Sequence, residues 1–221
     1  MTIVLADIFG SSNIGVYCFA CEGWAAVPAG TPSSKKKKFE DCLGVDVCEV
    51  NVAGARLLGI MMAGNANGLV LPHIIREHEL ETIKKSTKLN IQILEDERTA
   101  LGNLILANDN GAIVDPAFPT SAIRKLEELL QVEVVRGNIS GLPYVGSMAV
   151  ATNKGAIINP LAHDDEKDTV KDLLKVQIEP STVNGGVPFV RSGLLATSHG
   201  AVTGPLTLGK ELMAISQVMQ L

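Results

Sequence analysis

The feature that most constrains the fold of this chain is a spacing of about 44 residues that recurs along all 221 residues. One series of prolines is separated by 44, 44, 44 and 45 residues: Pro28, Pro72, Pro116, Pro160 and Pro205. Two series of glycines keep the same phase: Gly23, Gly68, Gly111, Gly155 and Gly200, and Gly15, Gly59, Gly102, Gly146 and Gly193. Because three series stay in register, the sequence predicts five copies of one unit, with bounds near 1–44, 45–88, 89–131, 132–175 and 176–221.

The copies share a short sequence pattern that is typical of a β-hairpin. Residues 63–72, 106–116 and 151–160 each contain an apolar run, a turn rich in Asn and Gly, a second apolar run and a proline. Asn and Gly accept the positive φ angles of tight turns, and two apolar runs joined by such a turn favour a hairpin. Each unit is therefore predicted to contain two antiparallel strands.

A helix is predicted after the proline of each copy. In residues 121–131 the apolar side chains of Ile123, Leu126 and Leu130 fall on one helical stripe. Residues 164–175 begin with acids and carry lysines towards their end, as the helix dipole favours. The first four of these helices lead into β-rich runs: 45–52, 89–94, 132–135 and 176–178.

The two ends of the chain complement one another. The fifth predicted helix has no strand after it, and the strand predicted at residues 3–8 has no helix before it. An open row of units would leave an apolar end exposed, whereas a closed ring needs no capping repeats. We therefore expect one α/β domain over residues 1–221, a five-fold pseudosymmetric ring with strands inside and helices outside.

Composition narrows the class of protein further. A net charge of −5 argues against a protein that coats nucleic acid by charge alone. The four cysteines, which all precede residue 49, favour reduced thiols in a cytoplasmic protein over a disulfide framework. Asp7 and Gly10 interrupt any signal peptide. Gly, Asn and Pro interrupt the uncharged stretch 57–75, which argues against a membrane span there.

Several segments are similar to one known family. They are Ser12–Gly15, Arg56–Gly59, Gly64–Asn65 with Gly68, Arg98–Asn103, Asn108–Asp109, Val145–Ser147 and Thr182–Asn184. Together they resemble translation initiation factor 6, and because the chain ends at Leu221 without a further tail, they resemble its archaeal form. The resemblance implies the pentein fold and a monomer that binds the large ribosomal subunit, blocks its joining to the small subunit and is tied to large-subunit maturation. It implies no enzymatic activity, no cofactor or metal, and no binding to a membrane or to DNA.

The hairpin tips are the first candidates for partner contact. Like units should bring like tips to one rim, where short polar tips can donate and accept hydrogen bonds at little entropic cost. On this basis Asn65, Asn67, Asn108 and Asn153 are predicted to face the ribosome. The alternative is that an asparagine before glycine serves the turn alone.

Two arginines and one lysine run are further candidates. Arg56 and Arg98 precede the glycines of successive units and are predicted either to contact the partner or to pair with acids of a neighbouring unit. Residues 35–38 are four lysines, which point all around a helix, so a solvated outer helix is favoured over contact with RNA phosphate.

Catalysis is the alternative from another class, because other penteins are guanidine-modifying enzymes that use a late cysteine with a histidine and acids. No cysteine follows Cys48 here, and the last unit offers His199 alone. A zinc site at Cys18 and Cys21 is disfavoured because a strand directs residues three apart to opposite faces. A phosphate loop at 204–211 is disfavoured because Glu211 stands where Ser or Thr should bind magnesium.

Overall fold

The structure, a computed structural model, describes residues 2–221. Over that range the chain is an α/β protein with five three-stranded sheets and ten helices. The strands are β1 (Thr2–Leu5), β2 (Phe19–Cys21), β3 (Trp24–Val27), β4 (Val47–Glu49), β5 (Ala63–Gly64), β6 (Gly68–Pro72), β7 (Asn90–Leu94), β8 (Ile105–Ala107), β9 (Gly111–Val114), β10 (Glu133–Arg136), β11 (Ala149–Ala151), β12 (Gly155–Ile158), β13 (Gln177–Pro180), β14 (Leu194–Ala196) and β15 (Gly200–Thr203). The long helices are α2 (Ser33–Leu43), α4 (Glu77–Ser86), α6 (Thr120–Leu130), α8 (Asp164–Leu174) and α10 (Gly209–Met219). The short helices are α1 (Ile14–Tyr17), α3 (Leu58–Met61), α5 (Leu101–Leu104), α7 (Val145–Met148) and α9 (Val190–Gly193).

Every sheet repeats one arrangement. In the second, β5 pairs antiparallel with β6 across the tip, and β6 pairs parallel with β7, which is reached through α4. The sheets built on β3, β9 and β12 have the same order, so the predicted hairpins and the repeated α/β unit are confirmed.

The fifth sheet takes its third strand from the start of the chain. Strand β1 pairs parallel with β15, in a register that sets Thr2 opposite Gly200 and Leu5 opposite Thr203. The prediction that the first strand completes the last unit is confirmed. The strand is shorter than expected, because Ile8 leaves the ladder and pairs with Ser11 across a tight turn.

The second glycine series lies in the short helices, which the sequence did not predict. A Cβ on Gly59 would collide with the backbone oxygen of Gly15, and one on Gly15 would collide with that of Arg191. Glycine is therefore needed here for close helix contact. Helix α1 contacts α3, α3 contacts α5, α5 contacts α7, α7 contacts α9, and α9 contacts α1.

The first glycine series serves the contact between a tip and the next long helix. A Cβ on Gly155 would collide with the backbone oxygen of Val218 in α10, and one on Gly200 with that of Cys42 in α2. The latter contact joins the fifth unit to the first. Between the sheets and these helices lie five apolar clusters, built largely from Val, Ile, Leu and Ala.

The units share one orientation, which gives the molecule two faces. We call the side that carries the hairpin tips and the C-terminal ends of the long helices the tip face. We call the other side the proline face, because the middle and third strands of each sheet run parallel and end there, at the proline loops and at the turns before the short helices.

Candidate functional site

The hairpin tips meet on the tip face and are joined by side-chain hydrogen bonds. The carboxylate of Glu22 accepts from the backbone nitrogens of Asn153 (3.1 Å) and Ser198 (3.0 Å). The carboxylate of Asp109 accepts from the backbone nitrogen of Ala66 (2.8 Å) and from Nδ2 of Asn153 (2.6 Å). Many of the polar groups of the tips are therefore already engaged in hydrogen bonds between tips.

Asn65 and Asn108 are buried, with 1% and 2% of their surface exposed, and their contact with a partner stays a prediction. Nδ2 of Asn65 donates to the backbone oxygens of Asn108 (3.1 Å) and Leu130 (2.9 Å). Nδ2 of Asn108 donates in the same way to Thr152 (3.1 Å) and Leu174 (2.9 Å). Each Oδ1 accepts from the two backbone nitrogens of its own turn. Their amides thus hold each tip to the next unit.

Asn67 and Asn153 lie on the tip face with more of their surface accessible. Asn67 is half-buried and donates through Nδ2 to the backbone oxygen of Leu130 at 2.8 Å. Asn153 is exposed, although its amide contacts Asp109 through both Oδ1 and Nδ2. A role for these two in partner contact stays a prediction.

Arg56 and Arg98 lie on the proline face, opposite the asparagines. Arg56 is exposed, and its guanidinium carbon lies 4.6 Å from the ring centre of Phe9 in the preceding unit. Arg98 is half-buried and donates to both oxygens of Asp96, at 2.8 and 3.1 Å, within its own unit. Its guanidinium also lies 4.7 Å from the ring centre of Phe118. Arg56 is therefore the more accessible of the two cations, and the six predicted residues do not form one surface.

The lysine run lies in α2, as expected, but each side chain has a partner within the chain. Nζ of Lys35 lies 3.0 Å from Oδ1 of Asp7, and Nζ of Lys38 donates to the backbone oxygen of Leu5 at 3.1 Å. Lys36 and Lys37 pair with acids one turn further along α2. The run therefore fastens the first strand to the first long helix.

An apolar surface that the sequence analysis missed lies on the proline face. Its side chains are between 41% and 72% exposed: Phe9, Leu142, Tyr144, Leu161, Phe189, Leu206 and Leu208. They belong to units one, four and five, and Nδ2 of Asn184 joins the fifth unit to the first here by donating to the backbone oxygen of Ser12 (3.0 Å). Because exposed aromatic and leucine side chains are typical of protein-contact surfaces, this surface is a candidate for one.

The proline face is held in shape by carboxylates at the starts of long helices. Both oxygens of Glu79 accept from consecutive turn nitrogens, those of Ala53 and Gly54, at 2.7 Å. Glu166 and Glu211 bind the turns at 140–141 and 185–186 in the same way. Ala53 and Gly54 both have positive φ, which aims consecutive N–H groups at one acceptor. The exposed loops beside these turns are thus anchored to helices.

The cysteines have the environment of structural residues. All four are buried and unpaired, and burial raises the pKa of Cys21 to about 12 and that of Cys18 further still. A thiol with a raised pKa forms little thiolate at neutral pH and is a poor nucleophile or metal ligand.

Within residues 2–221 no three His, Cys, Asp or Glu side chains are grouped as metal ligands. None of the helices in that range has the length and apolar character needed to cross a bilayer.

The fold is that of an α/β protein built from five similar units, with polar tips on one face and exposed apolar side chains on the other. Comparison with known proteins gives the family: the model of the eIF-6 family matches residues 3–218, and the chain belongs to that family. Translation initiation factor 6 of Staphylothermus marinus is 39% identical over 218 residues, which cover 97% of this chain and 96% of the relative. The factors of the same name from Methanocaldococcus jannaschii and Pyrococcus horikoshii are each 37% identical, over 100% and 99% of both chains.

Proposed function

We propose that this protein is a cytoplasmic translation initiation factor that binds the large ribosomal subunit and prevents its association with the small subunit. We extend the proposal to the maturation of large subunits. The observation that carries it is the match of the eIF-6 family along nearly the whole chain, with relatives that are named translation initiation factor 6. The buried, weakly acidic thiols support a binding protein over an enzyme.

We propose further that residues 1–221 form one domain, a closed ring of the pentein type that acts as a monomer. Two relationships between the ends of the chain support closure. Strand β1 pairs with β15, and helix α1 contacts α9 as it contacts α3. A ring fastened in this way would present a rigid face to the subunit, so that little conformational entropy is lost on docking.

We assign the contact to the apolar part of the proline face, with Arg56 at its border. Exposed aromatic and leucine side chains favour a protein surface of the subunit over RNA phosphate, which cationic side chains recognise. The tip face is a poorer candidate, because Glu22 and Asp109 place negative charge at its centre and the amides of its asparagines donate to neighbouring tips and long helices. Arg98 is assigned a structural role, since its guanidinium is committed to Asp96.

Co-sedimentation with isolated subunits tests the function, and paired variants test the face. The protein is expected to co-sediment with large subunits at near one-to-one stoichiometry without nucleotide. Co-sedimentation with small subunits alone would overturn the proposed function.

The double variant Phe189→Ala with Leu206→Ala should weaken binding about tenfold or more, because exposed aromatic anchors contribute much of an interface's affinity. The matched tip-face pair, Lys88→Ala with His199→Ala, should have little effect. The reverse ranking, with both variants folded, would move the contact to the tip face.

A further inference from the structure

A small cavity lies at the centre of the molecule, where all five units meet. Its volume is about 40 Å³, and each unit contributes to its wall, for example through Cys18, Gly64, Leu106, Ala151 and Leu195. One enclosed water needs at least 10–15 Å³ by this measure, so the cavity has room for roughly three waters, or for a chloride-sized ion and a water. It is too small for a nucleotide.

Arg191 extends into this cavity from α9. Its Nε donates to the backbone oxygen of Gly59 at 3.1 Å and its Nη2 to that of Met62 at 3.5 Å, both in the second unit. Its guanidinium carbon lies 5.9 Å from the ring centre of Phe19. A guanidinium has five N–H groups, and Nη1 donates to no acceptor among residues 2–221. Part of its hydrogen-bonding capacity is therefore available to a ligand in the cavity.

No carboxylate forms a salt bridge with this cation. Within residues 2–221, the guanidinium of Arg191 has no Asp or Glu oxygen within 4.0 Å. Glu22 and Asp109 line the cavity at its tip end, but their oxygens accept hydrogen bonds from the tips. The neighbouring thiol of Cys21 cannot supply the negative charge at neutral pH, because burial raises its pKa to about 12.

Arg191 is half-buried, and a partly desolvated cation without a paired carboxylate is energetically unfavourable. Burial lowers the pKa of Arg191 to about 10, so the guanidinium still carries its proton at neutral pH. An anion held against it would offset the cost of removing the charge from water, provided that the anion fits the space.

We propose that the central cavity is a binding site for one small monovalent anion, chloride or an ion of its size, held by the guanidinium of Arg191. The site has a cation with unused donors and a volume that selects against larger anions. Because Arg191 spans from the fifth unit to the second, the bound anion stabilises the contact between units across the centre of the molecule.

Thermal unfolding at constant ionic strength tests the proposal in solution. Replacing sodium gluconate, whose anion is too large for the cavity, by sodium chloride or bromide should raise the Tm by about 3–6 °C near ten times the dissociation constant. The increase should disappear in Arg191→Gln and persist in Arg124→Gln, which removes an exposed arginine. An equal response of wild type and Arg191→Gln would overturn the proposal.

Anomalous diffraction from wild-type crystals soaked in bromide locates the anion directly and does not depend on a variant that folds. A peak within hydrogen-bond distance of the Arg191 guanidinium supports the site. Cavity density without an anomalous signal identifies water and overturns the proposal.

Discussion

The side-chain amide of Asn65 donates to the backbone oxygen of Asn108 at 3.1 Å, and this bond joins the second unit to the third. Asn108 repeats the contact towards Thr152 at 3.1 Å, in the fourth unit. At the equivalent place in the fifth unit the hydroxyl of Thr197 donates to the backbone oxygen of Leu43 at 2.6 Å, in the first long helix. One position of the repeat thus supplies a polar contact between units at several places around the molecule.

The first prediction concerns this contact. Asn108→Asp should destabilise the fold, because it removes the donor to Thr152 and Leu174 and buries a charge beside two carbonyl oxygens. Leaving buried polar groups without partners costs about 1–3 kcal/mol each. Chemical denaturation measures the loss, with Asn138→Asp, at an exposed asparagine, as the control. Equal stability of the two variants would show that the buried amide contributes nothing.

The second prediction concerns closure through the first strand. Removing residues 1–5 should lower the Tm of the whole molecule in one transition, since it exposes the edge of β15 and its apolar cluster together. The control is Leu5→Ala, which trims a side chain that is 43% exposed and leaves the backbone pairing in place. If the shortened protein melted within a few degrees of wild type, the strand would be peripheral and the proposed closure of the ring would be wrong.

The third prediction distinguishes glycines that allow close packing from one that does not. Gly155→Ala should destabilise the protein by about 1–3 kcal/mol, because the new Cβ meets the backbone oxygen of Val218. Gly209→Ala, at the start of α10 with nothing within 4 Å of its Cβ, should stabilise by about 0.5–1 kcal/mol. Urea unfolding of both variants checks the pair, and a change of the same sign in both would contradict the close approach at Gly155.

The fourth prediction concerns acid stability. Burial alone would raise the pKa of Glu211, but hydrogen bonds from Thr182, Leu208, Gly185 and Gly186 lower it below its ordinary value of 4.5. The stability that Glu211 contributes is therefore fully present above pH 4.5 and is lost as the pH falls through the lower pKa of the folded state.

Glu211→Gln should accordingly reduce the free energy of unfolding at pH 7 by about 1–3 kcal/mol and flatten its dependence on pH in the acid range. The exposed Glu128→Gln should change neither quantity. Urea unfolding at a series of pH values measures both. An unchanged acid slope in Glu211→Gln would show that the hydrogen bonds do not favour the carboxylate.

The repeat, the hairpins, the long helices and the pairing of the first strand with the last sheet could be predicted from the sequence. Each depends on a residue type that recurs at a fixed spacing, such as the glycines that allow a tip to approach the next helix. The burial of Asn65 and Asn108 could not be predicted, because an exposed turn and a turn that contacts a neighbouring unit favour the same Asn and Gly residues. Only the tertiary structure shows which carbonyl oxygens lie within reach.

Two further features of the structure could not be predicted from the sequence. The short helices have four residues each, which is about one turn and too short for a helical period to appear in the sequence. The apolar surface combines Tyr144, Phe189 and Leu206 from separate loops, where single apolar residues are common and carry no meaning alone. They become a candidate site only when the fold brings units four, five and one together on one face.

Subunit joining, followed by light scattering, tests the proposed function most directly. Large subunits are first incubated with one equivalent of the protein, small subunits are then added in magnesium, and the yield of joined ribosomes is measured. We predict a large drop in that yield with wild type, and recovery with Phe189→Ala and Leu206→Ala but not with Lys88→Ala and His199→Ala. An undiminished yield with large subunits saturated by the protein would contradict the account.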